Sequence, residues 1–165
     1  MRLRLLVIGA ALLAALAWFN WQVAASERHI AEGRPIFFEL GGYDPRSLIQ
    51  GDYVALRYSL TDELTDSELP PAGQLAVKAD TDGVVTAARY YTPGTPLADG
   101  EFLVNYHRSG WAINVGPDSF FFQEGEADRY TSARFAELRV LPSGATVLVS
   151  LRGDDLELLG RTLFE

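Results

Sequence analysis

The chain contains no cysteine, which removes disulfide staples, thiolate nucleophiles and thiolate metal sites together. A domain carried into an oxidising compartment must then rely on its core alone. Histidine occurs twice, as His29 and His107, and lysine once, as Lys78. His29 lies in a polar stretch behind an apolar segment and His107 in an expected hairpin tip, so the two are not expected to meet around a metal ion. No serine sits in a Gly-x-Ser-x-Gly turn, and there is no low-complexity tract or convincing internal repeat. Positive charge is also scarce. Beyond residue 25, 12 basic residues face 22 acidic ones, a net charge of −10. Nucleic acid and anionic lipid both require clustered lysine and arginine, and no such cluster occurs. The scattered acids read mostly as a solvated surface that keeps the domain soluble.

One long apolar run is present. Residues 5–25 follow Arg2 and Arg4 and match the roughly 20 residues needed to cross a bilayer. Basic residues favour the cytoplasmic side, so the N-terminus is expected inside and the rest of the chain outside, in the periplasm of a bacterial inner membrane. Trp18 and Trp21 suit the outer interface. Val23-Ala24-Ala25 also resembles a signal-peptidase site, but Trp18, Phe19 and Trp21 are bulky where a cleaved signal turns small, which favours an uncleaved anchor. The expected organisation is an anchor helix over 1–25, a polar, helical stalk over 26–33 and one domain over 34–165, long enough to bury a core.

That domain reads as mainly β. Residues 34–40 form an expected first strand, closed by Gly41-Gly42. Residues 74–79 and 84–91 flank Asp80-Thr81-Asp82-Gly83, strong hairpin chemistry. A loop over 92–100 precedes 102–106 and 111–115, which flank His107-Arg108-Ser109-Gly110, with Trp111, Ile113 and Val115 alternating towards one face. Residues 119–123 are a short aromatic strand and 125–132 a loop or short helix. Residues 134–141 and 145–151 flank Pro142-Ser143-Gly144, and 156–159 offer a closing strand. The polar residues 61–68 have helix-compatible spacing, stopped by Pro70-Pro71. Nine or ten short strands at this spacing predict a small antiparallel β-sandwich or partly open barrel behind the transmembrane helix.

The densest stretch is Tyr43-Asp44-Pro45-Arg46-Ser47-Leu48-Ile49-Gln50-Gly51-Asp52-Tyr53-Val54-Ala55-Leu56-Arg57-Tyr58. Asp44-Pro45 is a helix-opening pair, because a carboxylate can accept from a first turn's free N–H groups and proline's fixed φ suits the first helical position. One helical turn is therefore expected over 44–49, followed by a turn at Gln50-Gly51-Asp52. From Tyr53 the period is two, with Tyr53, Ala55 and Arg57 on one face and Val54, Leu56 and Tyr58 on the other.

Gly51-Asp52-Tyr53-Val54-Ala55-Leu56-Arg57-Tyr58 resembles, at every fixed position, the pattern after which the GDYXXLXY family of bacterial membrane-anchored proteins is named. Asp44-Pro45-Arg46 and Phe120-Phe121-Phe122-Gln123-Glu124-Gly125-Glu126 are similar to that family too, so the resemblance runs from about Gly33 to the end. It implies the anchored layout and a multi-pass inner-membrane protein as companion, and it implies no particular activity. Leu48, Gly51-Asp52 and Val54 also look like the segment after the nucleophile in signal-peptidase-type serine proteases. That family's Ser-Met pair would fall on Tyr43-Asp44, so the nucleophile is missing, and the likeness is one of turn-to-strand geometry.

Two chemical readings remain. Asp44 and Asp52 with Tyr53 could do acid–base work as a periplasmic hydrolase if the turn joins them, but capping and turn roles already account for both carboxylates. Glu124, Glu126 and Asp128 could offer oxygens to a hard cation, yet lack the ligand spacing of a calcium loop and read first as surface charge. No catalytic set, metal site or cofactor is assigned. Three successive phenylalanines cannot all point inward on a strand, so the outward one is a contact candidate. The favoured function is an accessory binding domain whose contact surface draws on Asp44, Arg46, Asp52, Tyr53, Tyr58, Phe121 and Glu124; a small-ligand-binding β domain with an aromatic pocket is the other alternative.

Overall fold

The computed structural model describes residues 2–41, 45–48, 51–62, 64, 70–110 and 112–162, with the backbone alone for 2–6, 25–32, 45–48, 51–52 and 61–62. The chain divides into two units, Met1–Gly33 and Arg34–Glu165. The first is a single helix α1, Arg2–Glu32. At 1.5 Å per residue its 31 residues reach about 46 Å, beyond the ~30 Å hydrocarbon core of a bilayer. The segment Val7–Ala24 has a mean hydropathy of 1.6 and is long and apolar enough to cross a membrane. Leu12, Leu13, Trp18, Phe19 and Trp21 are exposed on it, the Trp18 and Trp21 rings lie 5.5 Å apart, and the Asn20 side chain is satisfied by donating to the Leu16 carbonyl at 2.9 Å. The helix continues without a break through the polar residues 26–32.

The second unit carries strands β1 (Arg34–Glu39), β2 (Pro45–Leu48) and β3 (Gly51–Ala55), the short helix α2 (Ser59–Asp62), then β4 (Ala72–Ala79), β5 (Val85–Tyr90), β6 (Glu101–Ser109), β7 (Ala112–Asn114) and β8 (Ser119–Phe121). A 3₁₀ turn, Ala127–Tyr130, leads to β9 (Phe135–Val140), β10 (Thr146–Arg152) and β11 (Leu158–Arg161). The domain is mainly β and every ladder between these strands is antiparallel, as expected. Three sheets form, in the orders β1-β9-β10-β11, β2-β3-β8 and β5-β4-β6-β7.

These sheets enclose one core and are stitched at their margins. Phe37 bridges to Val84 and its N–H donates to the Gly83 carbonyl at 2.9 Å, joining the β4–β5 hairpin tip to β1. Leu40 bridges to Tyr58, and the Gly41 N–H donates to Arg57 at 2.8 Å, joining the first sheet to the end of the central stretch. The Leu56 N–H donates to the Asp118 carbonyl at 2.8 Å. Ile36, Phe38, Leu75, Val77, Val104, Leu138 and Leu151 are fully buried between the sheets, as period-two strands with one inward face require.

Three expectations are corrected. The helical turn expected over 44–49 is not found where the structure describes that stretch: Pro45–Leu48 is a strand, with Leu48 opposite Gly51. One helical turn gains a single hydrogen bond for several fixed dihedrals, whereas the hairpin gains a ladder, and proline is tolerated because β2 is an edge strand. β3 accordingly begins at Gly51, so Gly51 and Asp52 are strand residues, and positions 43, 44, 49 and 50 lie outside the described residues. His107, Arg108 and Ser109 are not a hairpin tip either, since they pair with Asn114, Ile113 and Ala112 as the end of β6. The closing strand lies two residues later than expected, at Leu158–Arg161.

Candidate functional site

β3 is the middle strand of its sheet, and its alternation divides the central stretch between two faces. Val54, Leu56 and Tyr58 are buried, as their period predicts. On the neighbouring strand the inward residue is Phe120, opposite Val54 in register. Phe120, Phe122 and Tyr130 then pack together, with ring centroids 4.8 to 6.5 Å apart.

Tyr58 is the deepest of these. Its ring meets Phe38 edge-on at 5.8 Å, and its hydroxyl donates to the Pro117 carbonyl at 3.0 Å. Burial, and secondarily the nearby Asp118 carboxylate, push its pKa far up, so the hydroxyl stays protonated and acts as a fixed donor. Only 1% of Tyr58 is exposed, so it offers no surface to a partner and leaves the set of contact candidates. Beside it, the Asp118 carboxylate accepts from Asn114 Nδ2 at 2.6 Å and lies 3.3 Å from His107 Nε2. Asn114 and Asp118 thus organise the connection between β7 and β8.

The alternate positions of β2, β3 and β8 carry three of the other candidates. Phe121 pairs in register with Tyr53, and Tyr53 with Arg46, so three of the residues singled out in the sequence occupy one row across β2, β3 and β8. The Tyr53 and Phe121 rings lie 6.0 Å apart at 40°. Phe121 is 62% exposed although its neighbours Phe120 and Phe122 are buried. Glu124 is exposed in the turn that follows, where the Glu126 N–H donates to the Gln123 carbonyl at 3.2 Å and Gly125 supplies a φ of +87°. Asp52 sits opposite Ser47 in β3, while Asp44 lies outside the described residues.

Charged residues elsewhere resolve differently. Glu124, Glu126 and Asp128 do not converge, and among the described residues no three histidine or acidic side chains do. The carboxylate with the most elaborate surroundings is one that the sequence does not single out. Glu137, on β9, is buried, and its Oε2 accepts from the Ser150 hydroxyl at 2.6 Å and from Arg152 Nε and Nη2 at 3.0 and 2.6 Å. Burial raises its pKa, but the Ser150 and Arg152 hydrogen bonds outweigh that and hold the carboxyl below its ordinary range. In Phe135-Ala136-Glu137-Leu138-Arg139-Val140 it is an ordinary outward charge. Only the β9–β10 pairing brings its partners in.

A model of the GDYXXLXY protein family matches residues 15–151. The chain belongs to the GDYXXLXY family. No curated protein and no solved structure matches it. The positions that give the family its name divide by role in this fold: Leu56 and Tyr58 are core, Tyr53 lines the outer aromatic row, and Gly51 and Asp52 open the middle strand of a three-stranded sheet. Among the described side chains, the GDYXXLXY segment sets Tyr53 beside Phe121 on one face and buries Val54, Leu56 and Tyr58 on the other.

Proposed function

We propose that this GDYXXLXY protein is a membrane-anchored accessory binding domain. Helix α1 holds it in a bacterial inner membrane with Arg2 and Arg4 on the cytoplasmic side and the β domain in the periplasm, where it docks on a multi-pass membrane protein. The aromatic row of Tyr53 and Phe121 is the contact surface, and Glu124 belongs to its polar rim. One observation carries this reading: a large aromatic side chain, Phe121, stays 62% exposed between two buried phenylalanines. Aromatic anchors ringed by polar groups are the residues in which binding energy concentrates at protein interfaces.

A photoreactive phenylalanine analogue placed at position 121 in the full chain, and separately at the exposed Thr86 of β5, tests it in intact membranes. The expected result is one protein adduct from position 121 and none from position 86. In parallel, Phe121→Ser should abolish co-purification of the cross-linked partner while changing stability by no more than about 0.5 kcal/mol, as for exposed positions generally. Equal adducts from both positions, or none from 121, would reject the contact surface.

A further inference from the structure

The outer face of the β1-β9-β10-β11 sheet carries a second feature that the aromatic row does not use. An open groove of about 570 Å³ runs between the tip of the β4–β5 hairpin and the turn after β10. Phe37, Val84, Phe135 and Leu156 give it an apolar lining, half-buried and uncovered. Asp82 on one side and Asp154 and Asp155 on the other add three carboxylates. Two arginines reach the groove's margin and both are engaged, Arg134 by Glu39 and Asp154 at 3.1 Å each and Arg152 by Glu137 at 2.6 Å. Among the described residues no basic side chain pairs with Asp82 or Asp155.

Both walls are preformed. At the hairpin tip Asp80 Oδ1 accepts from the Asp82 and Val84 N–H groups at 3.0 and 2.9 Å, and the Gly83 carbonyl is tied to Phe37. Across the groove the Gly153 N–H donates to the Glu157 carbonyl at 3.0 Å, the Asp155 N–H to Glu157 Oε2 at 3.0 Å, and Arg152 Nη1 to the Leu156 carbonyl at 3.2 Å. Leu156 is held at φ 59°, the left-handed region that disfavours a branched apolar residue, and in that conformation its side chain lines the groove.

We propose that this groove docks an extended protein segment in which arginine or lysine alternates with apolar side chains. The reason is complementarity of two kinds on one surface. The carboxylates Asp82 and Asp155 want a cation, the net charge of −10 beyond the anchor steers the same sign, and the phenylalanine–leucine floor rewards an apolar neighbour. A bare cation would leave the floor uncovered, and an acidic or phosphorylated ligand would be repelled.

The probe is a fluorescein-labelled octapeptide of alternating arginine and leucine, titrated by anisotropy against the full chain in zwitterionic phosphatidylcholine nanodiscs, with empty nanodiscs as blank. Saturable, salt-sensitive binding is expected, about fivefold weaker for the double variant Asp82→Asn/Asp155→Asn, as the loss of about 1 kcal/mol in exposed ion pairs implies. A variant of equal charge change elsewhere, Asp99→Asn/Asp128→Asn, should bind as wild type. Leu156→Gly, which removes a floor side chain and relieves the backbone, should weaken binding without lowering the melting temperature. Equal loss in both double variants, equal binding of a glutamate–leucine peptide, or spermidine competing as well as the peptide at matched charge would overturn the proposal. These readouts leave position 121 untouched, so the groove and the aromatic row can fail separately.

Discussion

Tyr58 and Gly116 compete for the same space. A β-carbon on Gly116 would lie 2.6 Å from the Tyr58 hydroxyl and 3.1 Å from Leu138 Cδ2, while the next ring atom, Cζ, is at 3.4 Å. Glycine is therefore required at 116 because the hydroxyl has to pass it to reach the Pro117 carbonyl. Gly116→Ala should cost about 1–3 kcal/mol by overpacking. Tyr58→Phe should cost about 1 kcal/mol, the worth of one hydrogen bond, since the ring and its contact with Phe38 are kept. The two changes should not add. Without the hydroxyl the shortest clash disappears, so Gly116→Ala should be markedly cheaper in the phenylalanine background, with a coupling of about 0.5–2 kcal/mol. Urea unfolding of the four proteins measures it, and strict additivity would mean that the backbone at 116 moves freely and the residues are independent.

At the scale of elements, Glu137 clamps β9 to β10 and, through Arg152, to the Leu156 carbonyl in the turn before β11. Because its folded pKa is lowered, the unfolded chain binds more protons in the window just below the ordinary carboxylate pKa of 4.5. The stabilisation is thus complete above that value and is lost as pH falls through the folded pKa. Glu137→Gln should destabilise by about 2–3 kcal/mol at neutral pH, less than the ~3–5 typical when a buried pair is broken because Arg152 retains some solvent, and the difference from wild type should shrink as the pH falls through the lowered folded pKa. A constant difference from neutral to acid pH would exclude the charge as its cause. The same elements mark how far the sequence can be read. The β4–β5 and β9–β10 hairpins and β1 are legible because Asp80-Thr81-Asp82-Gly83, Pro142-Ser143-Gly144 and strict alternation are local signals. Asp44-Pro45 misleads because its chemistry suits a helix start equally well, and the choice is made by pairing with β3. Phe121 is legible as an outward residue, but its place beside Tyr53 depends on β8 joining β3 across more than sixty residues, and Glu137 depends on a partner strand in the same way. Side-chain constellations made by long-range pairing leave no local trace.

For the whole molecule, the core belongs to Arg34–Glu165, whose sheets enclose all of the clustered buried side chains, whereas α1 carries the Val7–Ala24 stretch, long and apolar enough to cross a membrane. A chain starting at Arg34 should be soluble without detergent and unfold in one cooperative transition, within a few degrees of the β-domain transition seen in the full chain. Full-length protein should partition into detergent or bilayer, because exposed Leu12, Leu13, Trp18, Phe19 and Trp21 each gain on the order of 1.5–3 kcal/mol on leaving water. Circular dichroism melts of both forms, with phase separation in a cloud-point detergent, check this. If the fragment aggregated or melted without cooperativity, the helix would be part of the folding unit, and the single-anchor arrangement behind the proposed docking role would have to be replaced by one in which α1 completes the domain.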